Sequence, residues 1–289
     1  MLGYNHRMQS LKALEPVDYL VIGHITKDLT PHGPKMGGTA SYAALTARML
    51  GLRVGVITSW GEEIPLGRMA DVEIVNLRSE QSTTFENIYT PNGRLQVIHH
   101  IARTLDTQSL PPAWAHTPII HLGPIAQEVD LKLAAAFPHS LVGATPQGWL
   151  RTWDQEGHIV PTHWEGSSQV LKSISVAILS IEDVGGREDL IQEMASLCPI
   201  FVVTEGYYGA RVYWHGDVRR FSAPKVTEID ATGAGDIFAA SFLFQVHKTR
   251  DPWEAARFAN LLASQSVTRS GLASIPTADE VQNATIEVL

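Results

Sequence analysis

The chain has almost no cysteine, because Cys198 is the only one among its 289 residues. A single thiol excludes an internal disulfide and a multi-cysteine zinc site, and it is typical of a protein in the reducing cytoplasm. The chain also lacks any run of about 20 apolar residues, so we expect no membrane-spanning helix. Positive charge is scarce, with 22 Lys and Arg against 30 Asp and Glu and a net charge of −8. We therefore expect neither nucleic-acid nor membrane partners.

Short apolar runs that end in glycine alternate with segments of helical spacing. Residues 18–23 form the first apolar run, residues 39–50 carry alanines at helical spacing, and residues 53–59 form a second β-rich run. A strand, a helix and a strand in succession predict a largely parallel sheet. The alternation resumes at residue 119 and includes a predicted helix over residues 130–136. We expect one α/β domain over the whole chain, residues 1–289.

A predicted hairpin interrupts this alternation at about residues 83–101. The flanking segments alternate as strands do, and Pro91-Asn92-Gly93 between them is a turn signal. The pattern fits an ordinary edge hairpin and a lid over a cleft equally well. An exposed edge of this hairpin would allow a homodimer, and a monomer is equally consistent with the sequence.

The most informative segment runs from Asp230 to Phe242, where a glycine-rich turn opens an apolar helix. The N–H groups of residues 233–235 (Gly-Ala-Gly) can approach an anion closely at such a helix start, where the helix dipole favours negative charge. Asp236 falls in the first helical turn, so the dipole predicts an ionised carboxylate with a low pKa. An acid at this position could act in chemistry or could simply stabilise the helix terminus.

This segment resembles the C-terminal signature of the ribokinase/PfkB family of carbohydrate kinases. Further segments resemble other family motifs and occur in the family's order, from residue 18 to about residue 280. They are Val21-Ile22-Gly23 followed by Asp28, Gly37-Gly38-Thr39-Ala40, the T-x-G-x-x-G-like stretch Val202–Ala210, and Val267–Gly271 followed by Ser274-Ile275-Pro276.

The resemblance implies a ribokinase-like fold, a doubly wound, mainly parallel sheet with a small β lid. It also implies ATP-dependent phosphorylation of a hydroxyl on a small sugar or polyol, with Mg²⁺ as a cofactor and K⁺ as a further candidate. Asp236 would deprotonate the hydroxyl, while the N–H groups of Gly233, Ala234 and Gly235 would hold the transferring phosphoryl group. The other candidate residues are Asp28, Gly37, Gly38, Thr39, Tyr42 and Arg151 for the substrate; Thr204, Gly206, Gly209 and Asn260 for ATP; Asp183 for Mg²⁺; and Asp230, Thr232, Ser266, Arg269, Gly271 and Ser274 for K⁺.

Three of these candidates have competing structural interpretations. Asn260 could line an adenine pocket or be a capped polar group in a helix interface. Arg151 could reach the substrate, but a solvated or structural arginine is the favoured alternative. Tyr42 could pack on a substrate ring or merely fill an interface.

The chain departs from the family pattern at several positions. Tyr42 aligns near an asparagine of the family, Ser180-Ile181-Glu182-Asp183 replaces the N-x-x-E motif, and the strand ending His121-Leu122-Gly123-Pro124 lacks a substrate-binding glutamate. These changes argue against a standard ribokinase or fructose-phosphate kinase. Residues 38–41, 122–125, 147–151 and 211–214 are instead similar to an inositol-kinase-like branch, so we favour an inositol-like acceptor. The alternatives are a nucleoside kinase and a non-catalytic ligand-binding protein on a kinase fold.

Overall fold

A computed structural model describes residues 14–61, 67–90 and 93–288, without the side chains of residues 89, 90, 93, 94 and 288. The predicted turn residues Pro91 and Asn92 lie outside the described residues. Fifteen strands form within the described ranges. In chain order they are β1 (Tyr19–Ile22), β2 (Thr26–Leu29), β3 (Lys35–Gly37), β4 (Val54–Thr58), β5 (Glu73–Asn76), β6 (Thr84–Thr90), β7 (Gly93–His100), β8 (Ile119–Leu122), β9 (Leu141–Ala144), β10 (Arg151–Trp153), β11 (Ile159–Pro161), β12 (Val176–Ser180), β13 (Ile200–Thr204), β14 (Ala210–Trp214) and β15 (Asp217–Phe221).

The α-helices include two that the apolar spacing did not predict, α2 and α6. The predicted helix at residues 130–136 is a short 3₁₀ helix, Leu131–Ala135, which Asp130 caps. Pro138 follows closely, and a proline disfavours helical geometry in the residue before it. The α-helices are α1 (Thr39–Met49), α2 (Ser167–Ser173), α3 (Glu188–Ala195), α4 (Ala234–Thr249), α5 (Pro252–Ser266) and α6 (Ala278–Val288).

The main sheet has nine strands in the order β15-β14-β13-β12-β9-β8-β1-β4-β5. The seven strands from β13 to β5 are parallel to one another. At one edge β14 pairs antiparallel with β13, and β15 pairs antiparallel with β14. This arrangement confirms the predicted fold class. Because the parallel strands end at one edge of the sheet, the loops that follow them converge there, where α/β folds bind ligands.

Strand β1 shows how the core is divided between the two faces of the sheet. Tyr19 and Val21 pack on the face that α1, α4 and α5 cover. Leu20 and Ile22 point to the opposite face, where Trp114 is fully buried. A strand that is covered on both faces has a continuous apolar sequence, which is why the period-two alternation is missing here.

The predicted hairpin forms β6 and β7, and it belongs to a separate four-stranded sheet in the order β3-β2-β6-β7. Phe85 and Ile98 of this small sheet pack against Ile125 and Ala126, which follow β8. The small sheet therefore lies at the carboxyl edge of the main sheet. Among the described residues, no helix combines the length and the apolar character needed to cross a bilayer.

Candidate active site

Asp236 lies in the first turn of α4, directly after a turn that requires glycine. Gly233 caps the helix in the left-handed conformation, with φ of 81°. A Cβ atom at this position would lie 2.3 Å from the ring of Tyr42, so glycine avoids both a steric clash and backbone strain. Tyr42 is 3% exposed and supports the turn from below, which favours the interface-filling interpretation of this residue.

The Asp236 carboxyl does not have the low pKa that the helix dipole predicts. Burial is the largest effect and raises its pKa from 3.8 to about 6, and the nearby charge of Asp183 raises it further. A hydrogen bond with the Thr39 side chain and the positive charge of Arg151 act in the opposite direction. The prediction was wrong because desolvation of the carboxylate outweighs the dipole at this helix terminus.

The predicted anion-binding N–H groups are only partly available. The N–H of Ala234 donates to the carbonyl oxygen of Ala231 at 3.2 Å. The N–H groups of Gly233 and Gly235 donate no backbone hydrogen bond within the part of the chain that the structure describes. Gly235 is exposed, and a Cβ atom there would meet open space. Two N–H groups at the start of α4 can therefore donate hydrogen bonds to an anion.

The predicted substrate motif forms a tight contact between β2, β3 and the start of α1. The Thr26 hydroxyl donates to Asp28 Oδ1 at 2.8 Å. A Cβ atom at Gly37 would lie 2.1 Å from Asp28 Oδ2, so only glycine lets this carboxylate approach the β3 backbone. Gly38, with φ of 84°, is the N-cap of α1, and Thr39 begins that helix. This geometry brings the hydroxyl of Thr39 to Asp236.

Three of the predicted carboxylates converge around Tyr42. Burial raises the pKa of the Tyr42 phenol, and the charges of Asp236, Asp28 and Asp230 raise it further. Each of these charges acts on the phenol only because it lies near it. The di-glycine motif and the C-terminal signature, about 200 residues apart in sequence, therefore meet at one site.

Arg151 is buried, with 8% of its surface exposed, so the solvated interpretation was wrong. Its Nη1 donates to Gln96 Oε1 on β7 at 2.9 Å, and its Nε donates to the carbonyl oxygen of Gln147 at 3.3 Å. Its charge lowers the pKa values of both Asp236 and Asp183. Arg151 therefore connects the small sheet with the carboxylates of the site.

Asp183 lies in the short 3₁₀ helix after β12, where the family has a glutamate. Its carboxylate accepts hydrogen bonds from the N–H of Ser180 at 2.9 Å and from Gln147 Nε2 at 3.2 Å. Burial nevertheless raises the pKa of this carboxyl. A buried carboxylate with few donors fits a cation, because oxygen ligands of this kind suit Mg²⁺.

The predicted ATP-binding motif follows β13, and the chain then turns back into β14. Thr204 ends β13, while Gly206 and Gly209 have φ of 58° and 99°. A Cβ atom at Gly209 would lie 2.0 Å from the carbonyl oxygen of Phe221, so this turn also requires glycine. Asn260 donates from Nδ2 to that same carbonyl oxygen at 2.9 Å, as expected of a polar group in a helix interface.

The predicted potassium-binding residues surround the loop before α4. The Asp230 carboxylate accepts hydrogen bonds from the N–H groups of Thr232 at 2.9 Å and Gly271 at 3.2 Å. Burial tends to raise its pKa, but a hydrogen bond with the Thr232 side chain, these two N–H donors and the charge of Lys35 together prevail and lower it. The Ser274 hydroxyl is fully buried and has no hydrogen-bond partner in the described ranges. Ser274 belongs to the same short 3₁₀ helix as Gly271, and an unpartnered buried oxygen in the helix that contacts Asp230 fits a monovalent cation.

Two other potassium candidates have side chains that are already engaged. The Ser266 hydroxyl donates to the carbonyl oxygen of Ala263 at 2.7 Å. The Arg269 guanidinium forms a two-bond ion pair with Glu280, at 2.6 and 2.9 Å. A cationic side chain cannot ligate a cation, so Arg269 could contribute only its backbone carbonyl oxygen.

Sequence reasoning missed a buried polar chain beneath the site. His121 Nδ1 lies 2.8 Å from the Tyr19 hydroxyl, and His121 Nε2 lies 3.0 Å from Thr145 Oγ1. Burial lowers the pKa of His121 to about 3, so its ring is neutral. The available signal was on β8, where the family's glutamate is missing but the polar residue His121 stands in an otherwise apolar strand.

The sequence and the fold both match known proteins. Residues 176–278, which include α4 and its glycine turn, match the pfkB family of carbohydrate kinases. The chain therefore carries a pfkB family domain over these residues and is a phosphotransferase, and the resemblance of its motifs to the family is confirmed.

Relatives of this kinase act on different acceptors. It is 25% identical over 269 residues to a cytidine kinase of Thermococcus kodakarensis, covering 83% of this chain and 92% of that protein. It is also 25% identical over 304 residues to a fructokinase of Escherichia coli, covering 91% and 97%. A pyrophosphate-dependent kinase in the ribokinase family, solved with a pyrophosphate analogue and myo-inositol, has the same fold. That structure superposes with a TM-score of 0.74 at 23% identity, covering 94% of this chain and 100% of the other.

Proposed function

We propose that this kinase transfers a phosphoryl group from ATP to one hydroxyl of a small polyol, with a cyclitol such as inositol as the favoured acceptor. The observation that carries the proposal is the position of Asp236. Its carboxylate lies at the start of α4, beside the buried cation Arg151 and the hydroxyl of Thr39. This arrangement supports proton transfer next to an anion-binding helix terminus.

The proposed chemistry uses Asp236 as the group that orients the acceptor hydroxyl and finally takes its proton. With a pKa of about 6, most of this carboxyl is ionised at neutral pH. In a loose, metaphosphate-like transition state the hydroxyl loses its proton late, so orientation matters more than basicity. The N–H groups of Gly233 and Gly235 would stabilise the negative oxygens of the phosphoryl group during transfer.

Two cations complete the proposal. Asp183 and Gln147 would hold Mg²⁺ directly or through its water ligands, and the ion would neutralise charge on the donor phosphates. Asp230, Thr232 and Ser274 would hold K⁺, which would stabilise the loop that ends at the start of α4. The buried, unpartnered hydroxyl of Ser274 supports this second site.

The acceptor class is argued from complementarity. Each hydroxyl of a polyol can both donate and accept, and the proposed cleft offers the Asp28 and Asp236 carboxylates as acceptors and Arg151 as a donor. The similarity to a kinase solved with myo-inositol favours a cyclitol. A nucleoside acceptor is the second candidate, because the chain resembles a cytidine kinase over 83% of its length.

Pyrophosphate is a second candidate for the phosphoryl donor. Kinases of the ribokinase family have been solved with ATP, which favours ATP here. However, the Asn260 amide is occupied by the carbonyl oxygen of Phe221, so it is less available to an adenine ring. Together with the similarity to a pyrophosphate-dependent kinase, this contact favours testing pyrophosphate as the alternative donor.

The experiment measures product formation by ³¹P NMR with inositols, sugars and nucleosides as acceptors. Each acceptor is combined with ATP or with pyrophosphate, in the presence of Mg²⁺ and K⁺. We expect phosphorylation of a cyclitol, and a loss of about 10²-fold or more in Asp236→Asn, as is typical for removal of an acid–base group. Turnover of nucleosides but not polyols would reject the favoured acceptor. Binding of acceptor and donor without turnover would reject the catalytic role.

A further inference from the structure

Two amide side chains lie on the face of the small sheet that points toward the main sheet. Phe85 pairs with Ile98 across β6 and β7, and Asn87 pairs with Gln96 two residues further along each strand. Alternate residues of a strand share one face, so both amides lie on the face that carries Phe85 and Ile98. That face packs against Ile125 at the carboxyl edge of the main sheet.

The chemistry of the guanidinium fixes the orientation of both amides. Arg151 can only donate, so the Gln96 oxygen must face its Nη1, which lies 2.9 Å away. Gln96 Nε2 therefore points to Asn87, whose Oδ1 accepts the hydrogen bond at 3.2 Å. The Asn87 oxygen is thus occupied, and its NH₂ group lies at the outer end of the relay. The three residues form a directed chain that presents hydrogen-bond donors.

We propose that Gln96 positions Arg151, that the Asn87 amide donates to a hydroxyl of the acceptor, and that the two together select the hydroxyl that reaches Asp236. The proposal rests on the kinase function proposed above. Asn87 and Gln96 are then the specificity-determining pair of the small sheet, which thereby acts as a lid.

The proposed division of roles follows from hydrogen-bond complementarity. Asp236 at the start of α4 and Asp28 on β2 of the small sheet can only accept when ionised, whereas the relay offers donors from β6 and β7. A ring with several similar hydroxyls is distinguished by the pattern of donors and acceptors around it. An incorrectly placed ring would leave a desolvated donor or carboxylate without a partner, which lowers affinity more than a lost apolar contact does.

A neutral amide is also the appropriate anchor for Arg151. The charge of Arg151 lowers the pKa of Asp236 and so favours its ionised form. A carboxylate in place of Gln96 would still accept the hydrogen bond but would partly neutralise that charge. Gln96 accepts the hydrogen bond from the guanidinium but places no negative charge beside it.

The test compares three relay variants, with acceptor and donor KM, kcat and the phosphorylated position measured for each. In Gln96→Leu we expect acceptor KM to rise about tenfold and kcat to fall, with donor KM unchanged, because one charge-assisted hydrogen bond is lost. Asn87→Leu raises acceptor KM and broadens the product positions while kcat is retained. Gln96→Glu still accepts from Arg151 but cannot donate to Asn87 and partly neutralises the guanidinium charge, so it recovers only part of kcat and leaves acceptor KM high.

Glu86→Gln is the matched control, because Glu86 is adjacent to Asn87 on the opposite face of β6. Among the described side chains its carboxylate contacts exposed His99, at 2.9 Å and in the same sheet, so we expect no change in any constant. Acceptor affinity is also measured by calorimetry. A protein that binds the polyol without phosphorylating it would reject the proposed function and still test the relay. Unchanged acceptor affinity in both Asn87→Leu and Gln96→Leu would overturn the inference.

Discussion

The raised pKa of Asp236 makes a prediction about stability as well as about catalysis. The folded carboxyl retains its proton until about pH 6, whereas its ordinary pKa is 3.8. Between these values the folded protein binds more protons than the unfolded chain does, so the free energy of unfolding falls as pH rises. Asp236→Asn removes this ionisation but keeps an oxygen that can accept from Thr39. The variant should therefore be inactive and yet more stable than the wild type near neutral pH.

The magnitude follows from the two pKa values. The difference of about 6 minus 3.8 is about 2.2, and one pKa unit corresponds to about 1.4 kcal/mol, so the ionised carboxylate costs at most about 3 kcal/mol at pH 8. This value is an upper limit, because the residue is half-buried and keeps some contact with water. At pH 4.5 the folded carboxyl is almost fully protonated and the unfolded one is protonated only in part. The same linkage relation then leaves a cost of about 1 kcal/mol.

The assay is denaturant unfolding of the wild type and Asp236→Asn at pH 8 and pH 4.5, followed by tryptophan fluorescence. We expect the variant to unfold at higher denaturant concentration, with the larger gain at pH 8. Thr39→Val serves as a control, because it removes the hydrogen bond to the carboxylate and should destabilise the protein most at pH 8. An Asp236→Asn protein that is less stable than the wild type at pH 8, or a gain that is independent of pH, would refute the reasoning.

Other consequences of the site concern its pH profile and its glycine turn. If ionised Asp236 is required, its pKa of about 6 leaves about a tenth of the free enzyme active at pH 5, so kcat/KM for the acceptor should fall about tenfold between pH 8 and pH 5. Because the charge of Asp183 raises this pKa, Asp183→Asn should move the acid limb of the profile to lower pH, whatever its effect on the maximal rate. Gly233→Ala places a Cβ atom 2.3 Å from the Tyr42 ring at positive φ, so thermal unfolding should occur several degrees lower, for a cost of about 1–3 kcal/mol. Gly235→Ala enters open space and should unfold at nearly the wild-type temperature; equal losses in the two glycine variants would contradict the steric argument.

The fold was largely predictable because its strands and glycine turns leave local signals. The apolar run ending at Gly23 is a strand that is buried on both faces, and Gly38 is the left-handed N-cap of α1. Such features depend on a few neighbouring residues, so the sequence reports them directly. The helix predicted near residue 130 failed because its spacing was right but its length was limited by Pro138.

The electrostatics of the site could not be predicted in the same way. The low pKa expected for Asp236 came from the helix dipole, which is a local property of the sequence. Burial, which raises the pKa, depends instead on which distant parts of the chain pack against the start of α4. Arg151 was similarly ambiguous, because its partners Gln96 and Gln147 lie on different elements. Burial and distant contacts decide the charge state of a group, and neither has a signature in the residues that flank it.

The small number of groups that stabilise ionised Asp236 explains why its raised pKa is compatible with function. A carboxylate held by several donors would be stable and ionised, but its oxygens would be occupied and it would be a poor acceptor for a substrate proton. Asp236 is instead stabilised by one hydroxyl and one nearby cation while burial opposes its charge. Its remaining acceptor capacity is directed to whatever hydroxyl enters the site, and that contact lowers the free energy of the ionised state. The acceptor should therefore bind more tightly as the carboxyl ionises, and its affinity for the wild type should fall with decreasing pH near pH 6, while its affinity for Asp236→Asn should stay constant over the same range.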